Sequence, residues 1–205
     1  MKKNRSSRSW IIKQHRDQFY KRSKTLGYRS RSAFKLLELN EKFKFISQNT
    51  NLLDIGSSPG GWSQIASSII RKGKIVSIDK KPMKSVKNVV FFEMDFSKEE
   101  SKNKIMKIFE KKIDVIISDM AADTTGNKNL DCIRTNLLCS EVINFSKEIL
   151  KKNGILVSKT FMGEEFLELK KLAKKNFKKV QFYKPKSSRS ESKETYMHCS
   201  TLNTL

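Results

Sequence analysis

The stretch Asn51-Leu52-Leu53-Asp54-Ile55-Gly56-Ser57-Ser58-Pro59-Gly60-Gly61-Trp62 carries the decisive pattern of the chain. Its first six residues read as a short buried strand ending in glycine. Residues 61–71 follow as a helix, with Trp62, Ile65, Ile69 and Ile70 at helical spacing. A strand that turns through glycines into a helix is the opening unit of a parallel α/β sheet. Downstream the alternation continues. Strands are expected at 74–79, 89–93, 113–119 and 154–161, with two more near 179–184 and 194–200. Helices are expected at 97–111, 131–151 and 163–176. Short apolar strands alternating with helices predict a mostly parallel seven-stranded sheet with helices on both faces, a Rossmann-like α/β fold. No internal repeat and no linker divides the chain, so residues 1–205 are expected to form one domain.

The glycine turn has several readings. The dinucleotide fingerprint G-x-G-x-x-G fails, because Ser58 stands where the second glycine must let a pyrophosphate approach. Gly56-Ser57-Ser58-Pro59-Gly60 formally matches the hydrolase elbow G-x-S-x-G, and Asp119 and His198 follow in the order of a hydrolase triad. The residue after that nucleophile must donate its amide to an oxyanion, and here it is Pro59, which has none. A simple tight turn is a further possibility. The remaining reading is the S-adenosylmethionine turn of Rossmann-like methyltransferases, where glycines let the backbone pass close to the methionine part of the cofactor. Asp79, 23 residues after Gly56, then stands where an acid would grip the ribose hydroxyls. Parallel sheets bind ligands at the carboxyl ends of their strands. Gly56, Asp79, Asp95 and Asp119 all fall at or just past such ends, a convergence that one strand-end acid alone would not establish.

The chain's formal net charge is +22, from 43 Lys and Arg against 21 Asp and Glu. Leu, Ile, Val and Phe make up about 27% of residues, above the roughly 20% below which highly charged chains stay disordered. The charge is concentrated. Residues 1–35 hold twelve basic residues against Asp17 alone, and residues 170–193 hold ten against Glu191 alone. Between them the balance is nearly even. Concentrated basic segments point to a polyanion, most commonly nucleic acid, and 1–35 is read as a basic RNA-binding extension. Trp10, Phe19, Tyr20 and Tyr28 are interleaved there, either as stacking platforms or as anchors to the core. No apolar run approaches the roughly 20 residues of a membrane span, and no membrane partner is expected. Cys132, Cys139 and Cys199 lack the spacing of disulfide or zinc frameworks, and with only His15 and His198 no metal site is expected. The Ser/Arg-rich start has the composition of an organelle transit peptide.

Together these residues resemble the RrmJ/FtsJ family of ribose 2′-O-methyltransferases acting on bacterial large-subunit ribosomal RNA. The resemblance rests on Arg29-Ser30-Arg31-Ser32-Ala33-Phe34-Lys35-Leu36, Asp54-Ile55-Gly56, Pro59-Gly60-Gly61-Trp62-Ser63-Gln64, Asp79 and Ser118-Asp119-Met120-Ala121. It continues through Val157-Ser158-Lys159-Thr160-Phe161 and Lys186-Ser187-Ser188-Arg189-Ser190 to Glu194-Thr195-Tyr196. It starts near Trp10, which counts against a transit peptide; a cytoplasmic enzyme is expected, and a monomer. The family implies a catalytic set matching Lys35, Asp119, Lys159 and Glu194. It also implies cofactor contacts at Gly60, Trp62, Asp79, Asp95 and Asp119, with Asp79 on the ribose and Asp95 at the adenine end. The implied substrate is a uridine ribose in 23S ribosomal RNA of the large subunit. The chain departs from the family pattern in two places: Ser57-Ser58 before the proline, and Ala122 where proline usually follows Asp-Met-Ala.

Such a reaction needs a base for the 2′-hydroxyl. A solvated lysine, with a pKa of about 10.4, is protonated at neutral pH. Burial and Lys35 would lower Lys159, while Asp119 and Glu194 would raise it. Two roles therefore stand open for Lys159: base, the preferred one, or a cation stabilising a developing alkoxide. Lys35 is assigned to orienting the hydroxyl or a nearby phosphate. A non-catalytic RNA-binding or ribosome-assembly protein on the same fold is the rival reading, and transfer RNA the alternative substrate.

Overall fold

A computed structural model describes residues 17–203. Residues 1–16, nearly half of the segment expected to bind RNA, lie outside the described residues. The elements are α1 (Gln18–Thr25), α2 (Ala33–Phe43), β1 (Leu52–Ile55), α3 (Gly61–Ile69), β2 (Ile75–Asp79), β3 (Val89–Glu93) and α4 (Glu99–Phe109). They continue with β4 (Ile113–Ser118), α5 (Lys128–Ile149), β5 (Leu150–Phe161), α6 (Phe166–Asn176), β6 (Phe177–Tyr183) and β7 (Glu194–Leu202).

The seven strands form one sheet in the order β3-β2-β1-β4-β5-β7-β6. The first five are parallel to one another, and β7 runs antiparallel to both β5 and β6. The order reverses at β1, which sits between β2 and β4, and there the carboxyl ends open a crevice. Alternation along the strands divides the core into two layers. Leu53, Ile55, Val76, Ile78 and Ile116 pack with Ile105 of α4, Val142 and Phe145 of α5 and Leu169 of α6. Leu52, Ile75, Val115, Ile117 and Val157 face Leu36 and Leu39 of α2 and Trp62, Ile65 and Ala66 of α3.

The expected strands and helices are all present, with shifted ends. β5 begins at Leu150, four residues early, because Leu150 pairs with Ile113 across an irregular register before the main ladder resumes at Ile155. Asn127 caps α5, its side chain accepting the Asn129 and Leu130 amides at 3.1 and 3.2 Å, so that helix starts before the apolar periodicity does. Two helices were not anticipated. In α1 the Asp17 carboxylate accepts the Phe19 and Tyr20 amides at 3.0 and 3.2 Å. In α2 Ala33, Phe34, Leu36 and Leu39 form a buried face, so the basic segment runs directly into the core.

Register sets the site. Ile55 lies opposite Ile78 and Ser118, and Ser118 opposite Ser158. Gly56, Asp79, Asp119 and Lys159 therefore emerge side by side on one edge. Across the antiparallel pair, Lys159 faces Tyr196 and Phe161 faces Glu194, which brings the start of β7 to that same edge.

Candidate active site

A cleft of about 420 Å³ opens at the carboxyl ends of β1, β2 and β4, walled by Gly56, Ile78, Asp79, Asp95, Phe96, Asp119, Met120 and Leu137 among others. Gly56 has φ 78° and a Cβ there would lie 2.5 Å from the Met120 side chain, so only glycine permits this approach of the two loops. Asp79 is oriented by backbone donors: Ser58 N donates to Oδ2 at 2.9 Å and Lys81 N to Oδ1 at 2.8 Å. Asp95 accepts the Ser97 amide at 3.1 Å. Two carboxylates held at fixed angles beside the apolar walls of Ile78, Met94 and Phe96 suit a nucleoside, with acid for the ribose hydroxyls and a greasy slot for the base. The fit to S-adenosylmethionine is good. Asp79, Asp95 and Asp119 would hold it.

Gly60 and Trp62 lie off the cleft wall. Gly60 has φ 106° and precedes α3; a Cβ there would meet Arg29 Nη1 and Met83 Sδ, each at 2.9 Å. Trp62 is 2% exposed, its Nε1 donates to the Ser32 carbonyl at 2.8 Å, and its ring packs on Tyr196 with centroids 5.6 Å apart. The indole thus reaches the β5–β7 end of the cleft from beneath, through Tyr196, and presents no side-chain surface to the cleft.

At that end Lys35, Asp119, Lys159 and Glu194 meet, drawn from α2, the loop after β4, β5 and β7. Lys159 Nζ lies 2.7 Å from Asp119 Oδ1 and donates to the Asp119 carbonyl at 2.9 Å. It is also 3.8 Å from Glu194 Oε2. Lys35 Nζ sits 2.6 Å from Glu194 Oε1 and 2.8 Å from Oε2. Asp119 belongs to both ends, lining the cleft and pairing with Lys159. Three further residues complete the cluster. Tyr196 donates its hydroxyl to Asp119 Oδ1 at 2.6 Å, Ser188 donates to Glu194 Oε1 at 2.8 Å, and Ser192 Oγ accepts the Glu194 amide at 3.1 Å. Arg31 pairs with Asp17 and donates to the Ser187 carbonyl, and Glu38 accepts the Lys186 and Ser187 amides at 2.6 and 2.9 Å. These contacts tie the loop before β7 to α2.

Burial and charge compete at these groups. Burial pulls the Lys159 ammonium down, but the Asp119 and Glu194 carboxylates outweigh it and hold its pKa above the usual lysine value. Burial pushes Asp119 up, and the opposing charges of Lys159 and Lys35 hold it below the usual carboxylate range. The resting cluster is thus a set of ion pairs, with Lys159 protonated. Burial, reinforced by Asp119, pushes the Tyr196 hydroxyl well above the usual tyrosine value and keeps it a donor. Beneath the cleft, burial raises Asp54 to about 7, aided by the charges of Asp119 and Asp79. Ser63 donates to Asp54 Oδ2 at 2.6 Å, while Oδ1 is buried without a partner.

His198 stands apart from all of this. It stacks on Phe43 at 4.2 Å, both ring nitrogens are buried without partners, and burial lowers it to about 4. Neither ring nitrogen meets a serine or a carboxylate, so His198 serves no triad, which removes the hydrolase reading.

The comparisons with known proteins agree with this architecture. The family described as FtsJ-like methyltransferase matches residues 28–202. The ribosomal RNA large subunit methyltransferase E of Pelagibacter ubique is 49% identical over 202 residues, covering 98% of this chain and 100% of that protein. Its counterpart from Rickettsia akari is 41% identical, covering 96% of this chain and 89% of that one. A Plasmodium falciparum protein described as a ribosomal RNA methyltransferase superposes with a TM-score of 0.75 at 34% identity, covering 85% of this chain and 98% of that chain. At 15% identity and a TM-score of 0.55, the Methanococcus jannaschii fibrillarin pre-rRNA processing protein shares the fold alone, over 78% of this chain and 70% of that one. With the glycine turn, the acids at the strand ends and the buried lysine–carboxylate cluster in place, the chain belongs to the FtsJ-like methyltransferase family.

Proposed function

We propose that the protein transfers a methyl group from S-adenosylmethionine to the 2′-hydroxyl of a uridine ribose in 23S ribosomal RNA, on the large subunit, in the cytoplasm. The observation that carries this reading is the convergence of Lys35, Asp119, Lys159 and Glu194 at the mouth of a cleft whose other end presents Asp79 and Asp95. The relatives named above bear the name of a large-subunit ribosomal RNA methyltransferase. A monomer suffices, since one chain supplies every member of the cluster.

When bound, S-adenosylmethionine supplies a methyl group on a sulfonium, an electrophile activated by its own charge. The protein's tasks are alignment and proton removal. Reacting atoms need to sit roughly 3 Å apart and in line. Asp79 and Asp95 would hold the nucleoside, and the Asp119 carboxylate, held down in pKa, would answer the cofactor's positive charge. Lys35, anchored on both oxygens of Glu194, orients the incoming hydroxyl.

Forming the ether releases one proton, and Lys159 is placed to take it. In the resting cluster it is an ammonium, so it acts as a base only after losing its proton to solvent. Asp119 would also hold the positively charged cofactor, and sharing its carboxylate in this way would weaken the attraction that keeps Lys159 protonated and move its pKa toward the working range. The transfer rate is therefore expected to rise with pH through and above neutrality. A rate that falls as Lys159 deprotonates would assign the lysine to alkoxide stabilisation instead. The basic segments 1–35 and 170–193 are assigned to the RNA; Lys35 of the first and Ser188 of the second reach this cluster.

The test is to incubate purified protein with labelled S-adenosylmethionine and either free 23S RNA, undermethylated large subunits or transfer RNA, and to map the label. Label at a ribose 2′-oxygen of 23S RNA supports the reading. No cofactor binding by calorimetry would leave an RNA-binding protein without catalysis.

A further inference from the structure

The ladder between β4 and β5 stops one residue short of the Asp119–Lys159 pair. Its last rung joins Ser118 to Ser158. Asp119 and Lys159 follow, so the β4–β5 register does not fix the distance between them. Lys159 is still held in the ladder with β7, opposite Tyr196. Asp119 instead opens the irregular segment 119–127, which has no helix or strand of its own. Its carboxylate and its carbonyl both meet Lys159 Nζ, at 2.7 and 2.9 Å. Where those two oxygens point depends on how the segment behind them is held.

Three consecutive residues of α5 do the holding. Arg134 Nη1 donates to the Asp123 carbonyl at 3.2 Å, and Thr135 Oγ1 accepts the Ala122 amide at 3.2 Å. Asn136 turns to β5. Its Oδ1 accepts the Thr160 hydroxyl at 2.8 Å and the Phe161 amide at 2.9 Å, and its Nδ2 donates to the Phe161 carbonyl at 3.0 Å. Successive residues point about 100° apart around a helix, so Thr135 can face the loop while Asn136 faces the strand. Both are 2% exposed, and a polar group left unmet in such a place is costly. Ala122 sharpens the point. The family pattern has proline there, whose ring fixes φ and carries no amide hydrogen. Alanine lacks the ring and adds a donor, and Thr135 is the group that answers it.

We propose that Thr135 is a positioning residue for Asp119: with Asn136 holding the strand just past Lys159, it holds the loop just past Asp119 and so keeps the pair at its working distance. This rests on methyl transfer to a ribose being the reaction. Thr135 acts through the Ala122 backbone, and its hydroxyl does for this chain what a proline ring would do by covalent restraint. In-line transfer is sensitive to displacements of about 1 Å, which makes the hold on this loop matter to the rate.

The experiment removes the acceptor and then removes the need for it. Thr135→Val and Thr135→Ala both strand the Ala122 amide, and the second has the smaller side chain should the first not fold. Thr135→Ser keeps the oxygen. Joining Ala122→Pro to Thr135→Val deletes the stranded donor and fixes φ instead. Each variant is confirmed folded by circular dichroism at the assay temperature. Single-turnover transfer is then measured at saturating cofactor, and S-adenosylmethionine affinity by calorimetry. Loss of the acceptor is expected to slow transfer on the order of ten-fold. Cofactor binding should weaken by only about three-fold, since Asp119 shifts while Asp79 and Asp95 stay. Thr135→Ser and the double variant should bring both readings back to within about two-fold of wild type. An unchanged transfer rate in the folded acceptor-less variants overturns the positioning role. So does a loss that neither serine nor Ala122→Pro restores, because a general disturbance of α5 would persist in both. If the wild-type chain transfers no methyl group, the proposed reaction falls, and the affinities alone decide whether Thr135 places Asp119.

Discussion

The two ends of the cleft are built on different principles. At the end proposed to hold the nucleoside, Asp79 and Asp95 are held by backbone amides of their own loops, Ser58, Lys81 and Ser97. At the end proposed as catalytic, Asp119, Lys159, Glu194 and Lys35 are held chiefly by one another. Amide donors are neutral and fix a carboxylate's direction. Opposite charges in a buried place fix direction and also tie every member's protonation to its neighbours. The first arrangement suits recognition, where nothing titrates during the event. The second suits a step in which a proton has to move.

The largest expected effect falls on the catalytic end. Lys159→Ala should lower single-turnover transfer roughly a thousand-fold, in the range of lost acid–base catalysis, while calorimetry finds cofactor affinity within about two-fold of wild type. Equal losses in both would erase the division between the ends. Next comes the group that lies beneath the nucleoside end without touching it. Asp54 has its folded pKa raised to about 7, against about 3.9 unfolded, so the native state binds the extra proton between those values. Its contribution to stability is greatest at low pH, falls as pH rises through that window, and is flat above it. Asp54→Asn should remove that slope and raise stability at pH 8 by a few kcal/mol, read by urea unfolding at several pH values. A pH slope that persists in Asp54→Asn would refute the assignment.

Asp79→Asn should weaken cofactor binding about ten-fold, since a charge-assisted hydrogen bond becomes a neutral one. Turnover at saturating cofactor should hold. A collapse of turnover would mean that Asp79 reaches into the chemistry. The smallest effect belongs to Tyr196→Phe. Losing the hydroxyl donor leaves the Asp119 carboxylate freer to attract the Lys159 proton. The pH–rate profile should shift to higher pH by a fraction of a unit, with a rate loss of a few-fold near neutrality. A shift to lower pH would reverse the proposed coupling.

The strand–helix alternation from Leu52 onward was legible because each strand is apolar and bounded, and because register follows from pairing parallel strands that end in Gly56, Asp79 and Asp119. The helix Ala33–Phe43 was hidden by the charge around it, although Ala33, Leu36 and Leu39 keep helical spacing. Tyr196 was within reach: it stands two residues from Glu194 on the same face of one strand. Ser188, Glu38 and Arg31 were not. They meet through loops separated by about 150 positions, and no periodicity encodes such contacts. Trp62 shows the opposite limit, for a motif marks that a residue matters without marking which way its ring points. The resting protonation of Lys159 depends on distances to two carboxylates, which only the folded chain defines.

One feature of the sheet reaches further than its part in positioning Glu194. Every parallel strand spends its length before arriving at the working edge and then leaves through a loop. Reversed β7 begins there. The segment 184–193 consequently ends where the reaction starts, hung between two strands rather than between a strand and a helix. It is a natural graft point: exchanging it among relatives would swap the surface proposed to face RNA and leave Lys159, Asp119 and the glycine turn in an unaltered frame.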